Sequence, residues 1–135
     1  MPDTLPLSPI DLLIDEQNPR IQPPNEGQHK AIQSLAIHQK RKLQKLARDI
    51  VNHGLNPSEL FIVMPFKDDL KRHLVLEGNR RLAVLKVLEN PEILADTVSK
   101  PMFAEIRKLS HEYQNNPIES IQCSRKRSRR GATLD

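Results

Sequence analysis

One cysteine, no tryptophan, three phenylalanines and one tyrosine are all that this chain of 135 residues has of those types, and each scarcity removes a class of function. Cys123 has no partner for an internal disulfide and no second thiolate beside which to bind a metal. The five histidines, His29, His38, His53, His73 and His111, are scattered without ligand spacing and read as solvated helix or strand residues. No carboxylate cluster or histidine pair is placed to assemble a two-metal centre, so no metal site is predicted. Phe61, Phe66 and Phe103 stand among apolar neighbours and are expected in the core; with Tyr113 they are too few for a base-stacking platform. The chain also lacks an apolar run of 18 residues, and Met1 to Leu13 carries Asp3 and Asp11 but no base, so neither a membrane span nor a signal peptide is predicted and a cytoplasmic protein is expected.

The net charge is +4, which points toward nucleic acid only until it is located. Arg125, Lys126, Arg127, Arg129 and Arg130, set against Asp135, account for all of it; up to residue 124 acids and bases balance. Blocks of like charge are usually disordered, so residues 123–135 read as a basic tail that could bind DNA. A second reading stays open. An arginine codon CGA followed by a purine becomes a glutamate codon one base later, so an arginine run also arises when an acidic helix is translated out of frame.

What is present falls into one domain. Residues 1–9 form a Pro-rich lead, residues 10–122 the domain, and 123–135 the tail. Asp11 to Asp15 reads as a short buried strand, followed by the turn Asn18-Pro19-Arg20 and the loop Pro23-Pro24-Asn25-Glu26-Gly27. A helical piece with Ala31, Ile32, Leu35 and Ala36 precedes a second in which Leu43, Leu46, Ala47, Ile50 and Val51 trace one buried face, with Gly54 as its stop. Runs Leu60 to Met64 and His73 to Glu77 predict a β-hairpin across the charged patch Lys67 to Arg72. An apolar helix from Asn79 to about Glu89 is expected at the centre, ended by Asn90-Pro91. An amphipathic helix from about Pro101 to Tyr113 then leads to a strand beginning between Ile118 and Cys123.

Leu74-Val75-Leu76-Glu77-Gly78-Asn79-Arg80-Arg81-Leu82 is the most informative stretch, because a strand runs through one glycine directly into a helix whose first turn holds two arginines. The first N–H groups of a helix lack internal acceptors and its N-terminus is partly positive, so such a corner suits a phosphate or carboxylate. Cations there oppose the helix dipole; that cost favours a functional reading over a structural one. Consecutive helical residues lie about 100° apart, so one of the two arginines is expected to face the ligand. Glu77 is expected either to accept a ribose or base hydrogen bond or to pair with an arginine.

The order of these motifs over roughly residues 10–90 resembles the ParB/sulfiredoxin superfamily. Glu77-Gly78-Asn79-Arg80-Arg81 is similar to the Gly-Glu-Arg-Arg box of ParB-type partition proteins and stands where sulfiredoxins carry Gly-Cys-His-Arg. The resemblance implies a small α+β domain with a short mixed sheet and a nucleotide whose phosphates meet Gly78, Asn79, Arg80 and Arg81, with Glu77 and the Arg20 of Asn-Pro-Arg at the same cleft. A nucleoside triphosphate, CTP among the candidates, with or without Mg2+, is the implied ligand. Asn79 replaces the sulfiredoxin cysteine, which removes the nucleophile of the reductase, and also the glutamate of the ParB box. The downstream Glu-Asn motif and helix-turn-helix of partition proteins do not follow within these 135 residues.

Three functions are carried forward: a nucleotide-binding regulatory or partition-like module, an enzyme of the same superfamily (a nucleotide-dependent kinase or a nuclease) lacking its C-terminal part, and a DNA-binding protein using the Lys40 to Arg48 helix face and the basic tail. Without its last strand the sheet would expose an edge, and self-association would be expected.

Overall fold

The computed structural model describes residues 4–16 and 27–127, and its sheet is assembled from strands far apart in the chain. The elements are β1 (Thr4–Leu7), a 3₁₀ turn (Pro9–Asp11), β2 (Leu12–Ile14), α1 (Gln28–Gln39), α2 (Arg41–His53), β3 (Phe61–Pro65), β4 (His73–Glu77), α3 (Asn79–Glu89), a second 3₁₀ turn (Pro91–Leu94), α4 (Lys100–Gln114) and β5 (Ile121–Arg125). The strands lie in the order β1-β5-β3-β4-β2. β3 and β4 form the predicted antiparallel hairpin, while β2 runs parallel to β4, β5 parallel to β3 and β1 antiparallel to β5. The α+β class with a short mixed sheet is what the sequence led us to expect.

Two features of the sheet differ from the reading of the termini. The Pro-rich lead contains a strand, β1, pairing Thr4 with Ser124 and Leu7 with Ile121. Residues 123–125, assigned to the basic tail, complete β5, where Cys123 is buried and its thiol is pushed up to about 11 by that burial. β5 is flanked on both sides, so the open edge that would follow from its absence does not arise among the described residues. At the other edge the Gln28 side chain takes the place of a further strand: Oε1 accepts from Ile14 N (2.8 Å) and Nε2 donates to Ile14 O (3.0 Å), occupying groups that an edge strand leaves open.

Leu12, Ile14, Phe61, Val63, Val75, Ile121 and Cys123 join one buried cluster with the helices. α3 is at its centre, burying Leu82, Ala83, Val84, Leu85, Val87 and Leu88, and each large side chain among these contributes about 1.5–3 kcal/mol relative to exposure. Its C-terminal carbonyls are capped by α4: Ser110 Oγ and Gln114 Nε2 both donate to Leu88 O, at 2.6 and 3.0 Å. α2 buries Leu43, Ala47 and Ile50 with Leu46 and Val51 packed beside them, as its periodicity predicts. Arg48 and Gln44 on its outer side bind Glu105 of α4, Arg48 Nε at 2.7 Å. A single residue, Lys40, joins α1 to α2 at φ 42°. Among the described residues no helix is long and apolar enough to cross a membrane.

Candidate functional site

Gly78 is the pivot between β4 and α3. Its φ of 115° lies in the region that favours glycine, and a Cβ there would stand 2.9 Å from Phe61 Cδ2 and 3.0 Å from Cγ. Both the turn and the close approach of the Phe61 ring therefore demand a residue without a side chain. Leu82 N donates to Gly78 O at 2.8 Å, which starts the helical ladder and leaves the N–H groups of Asn79, Arg80 and Arg81 without intrahelical acceptors.

Asn79 is 5% exposed and backbone groups bind both the oxygen and the nitrogen of its amide. Oδ1 accepts from Asp15 N at 3.0 Å and Nδ2 donates to Val75 O at 2.9 Å, so this side chain ties the residue after β2 to the middle of β4 and to the start of α3. Arg81 is likewise committed. Its Nη1 donates to Glu59 O at 2.7 Å and its Cζ lies 4.3 Å from the Phe61 ring centroid. Burial draws its pKa below the usual arginine value, against the carboxylates of Glu59 and Glu77. Arg81 thus clamps the chain before β3 onto the corner.

Arg80 is different. It is half-buried and, among the described residues, makes no hydrogen bond or ion pair. A cation placed at a helix N-terminus without a partner is electrostatically unfavourable, and the described residues offer no compensating contact such as the one that accounts for Arg81. Glu77 ends β4 exposed at the lip of the same cleft. Arg20 lies outside the described residues.

The corner opens into a cleft of about 800 Å³, ample for a nucleotide. Leu76 to Arg81 line it together with Leu35 and Gln39 of α1, Leu46 of α2, and Asp15 and Glu59. Asp15 and Glu59 were not read from the sequence as cleft residues. The signal that would have found Asp15 is topological: it follows β2, which is parallel to β4, and ligands of parallel strands gather at their carboxyl ends. No group of three or more His, Cys, Asp or Glu is placed to hold a metal among the described residues. A magnesium ion here would rely chiefly on phosphate and water oxygens.

The basic face Lys40, Arg41, Lys42, Lys45 and Arg48 is exposed on the outer side of α2, with Arg48 held by Glu105. Of the turn residues, Asp69 accepts from Lys71 N and lies 3.6 Å from Arg72, a hairpin role rather than a metal one.

No protein-family model matches the chain, and no curated protein sequence does. Among solved structures it is similar to the crystal structure of the C-terminally truncated chromosome-partitioning protein ParB from Caulobacter crescentus complexed with CTP-gamma-S. The match covers 93% of this chain and 45% of that one, with a TM-score of 0.50 and 12% sequence identity. This chain thus spans less than half the length of that ParB structure, and at such identity the likeness is one of architecture: the four helices and mixed five-stranded sheet of the described residues share the fold of the matched part of that structure.

Proposed function

We propose that the chain is a ParB-like module that binds a nucleoside triphosphate, with the phosphates at the Gly78 corner. The observation that carries this reading is Arg80: a half-buried guanidinium without a partner among the described residues, beside the N–H groups of a helix N-terminus that lack intrahelical acceptors, lining a cleft of nucleotide size. In this arrangement the amides of residues 79–81 orient an anion and Arg80 neutralises it. Arg81 and Asn79 act through the backbone, holding the corner rigid so that little ordering accompanies binding. That the matched ParB structure holds CTP-gamma-S supports a triphosphate and makes CTP the first base to try. Bound nucleotide would bias a conformational or dimerisation equilibrium to the extent that it binds one state more tightly.

Calorimetric titration with CTP, ATP, GTP and UTP, with and without magnesium, tests the reading. Saturable binding is expected, weakened about 10- to 100-fold by Arg80→Ala, the equivalent of one or two charge-assisted hydrogen bonds. Folded protein that binds none of the four, or an Arg80→Ala variant with unchanged affinity, overturns it.

A further inference from the structure

A second cleft of about 770 Å³ lies between the first 3₁₀ turn, α1, the far half of α3 and the segment before β5, and shares no lining residue with the cleft at Gly78. Ile32, Leu85, Ile93 and Ile118 give it apolar walls, and Ile10 at its mouth is 72% exposed. Set into this surface is Lys86. A lysine that merely covered apolar surface would carry its ammonium out to water; this one is half-buried and turned onto the 3₁₀ turn, donating to Pro9 O at 2.9 Å. An ammonium has three N–H donors, and no other partner of Lys86 occurs among the described residues. Asp11 and Glu89 act on it through space without an ion pair, and burial with the Arg72 guanidinium outweighs them, drawing its pKa down. Arg72 lines the same cleft, but Asp69 lies 3.6 Å from it, while Glu89 and Glu119 stand exposed among the lining residues. The balance leaves one under-compensated cation in an apolar hollow.

We propose that this cleft binds a small amphipathic monocarboxylate, its apolar body against Ile32, Leu85, Ile93 and Ile118 and its carboxylate on Lys86. The rim carboxylates Glu89 and Glu119 disfavour dianions and phosphates, so the ligand class is distinct from that of the Gly78 corner, and the inference does not rest on the nucleotide reading.

The test is titration of the full chain with decanoate below its micelle concentration, beside decanol of the same chain length. One-to-one binding of decanoate is expected, at least ten times tighter than decanol, weakened at least tenfold in Lys86→Met and largely restored in Lys86→Arg. Ile10→Glu, at an exposed position that leaves folding intact, places a negative charge at the mouth and is expected to weaken decanoate more than decanol even if Lys86→Met fails to fold. Equal affinity for acid and alcohol, no binding by folded protein, or variants with wild-type affinity would overturn the proposal.

Discussion

The Arg81 guanidinium lies 4.3 Å from the centroid of the Phe61 ring, on a residue whose Nη1 also holds Glu59 O. Of the two neighbouring arginines in the box, one therefore serves the fold. Arg81→Ala should lower unfolding free energy by about 1–3 kcal/mol, the combined scale of a cation–π contact and a charge-assisted hydrogen bond. Arg80→Ala should change stability by less than about 0.5 kcal/mol. Urea denaturation of both variants checks the split; equal losses would mean that the two side chains share one role.

Gly78 and Phe61 should be energetically coupled. Gly78→Ala forces both a left-handed alanine and a contact with the Phe61 ring, and should cost about 1–3 kcal/mol. In a Phe61→Leu background the steric part is relieved, so the same substitution should cost visibly less. A double-mutant cycle measures the difference; strict additivity would show that backbone strain alone makes Gly78 necessary.

Truncating Asn79 removes the hydrogen bonds that its amide makes with Asp15 N–H and Val75 O. Asn79→Ala should destabilise by about 1–3 kcal/mol, and the Asp15 amide should exchange with solvent markedly faster while amides within α3 keep their protection. Hydrogen-exchange NMR reads both. Unchanged exchange at Asp15 would refute the staple.

Unlike the solvated residue expected from the sequence, His73 is buried in β4, and neither ring nitrogen has a hydrogen-bond partner among the described residues. Burial, helped by Arg125 and opposed by Asp11, lowers its folded pKa below the ordinary 6.5. The unfolded chain then binds the proton more readily, so stability is full above about pH 6.5 and falls as the pH drops through that value toward the lowered folded pKa. Denaturant midpoints from pH 7.5 to 5 should decline for the wild type and decline less steeply for His73→Leu. Parallel profiles would assign the acid sensitivity to other groups.

Lys40 joins two helices at φ 42° and ψ −110°, which a side chain strains. Lys40→Gly should raise unfolding free energy by up to about 1 kcal/mol, although the unfolded glycine is more flexible. A lowered thermal midpoint would show that the joint is unstrained.

The parts of this fold legible in the sequence are those determined locally. β4 and α3 fall within the ranges that the run His73 to Glu77, the glycine and Asn90-Pro91 indicate, and Gly54 ends α2 where expected. β1 was hidden because three prolines mask a four-residue strand whose partner, β5, comes near the end of the described chain. The division of labour at the corner was hidden for a similar reason. That Arg81 would turn to Glu59 and Phe61, and Asn79 to Asp15, depends on which strands end beside Gly78, and hydrophobic periodicity carries no information about strand order.

Pairing Thr4 with Ser124 also imposes an order in time. Such long-range contacts close the largest loop and form late. During synthesis β1 emerges first yet waits for β5, while the β3–β4 hairpin and α3 can already assemble around Gly78. The Gly78 corner can thus take shape before the sheet is complete, and until β5 arrives the exposed side of β3 is an open template for another chain.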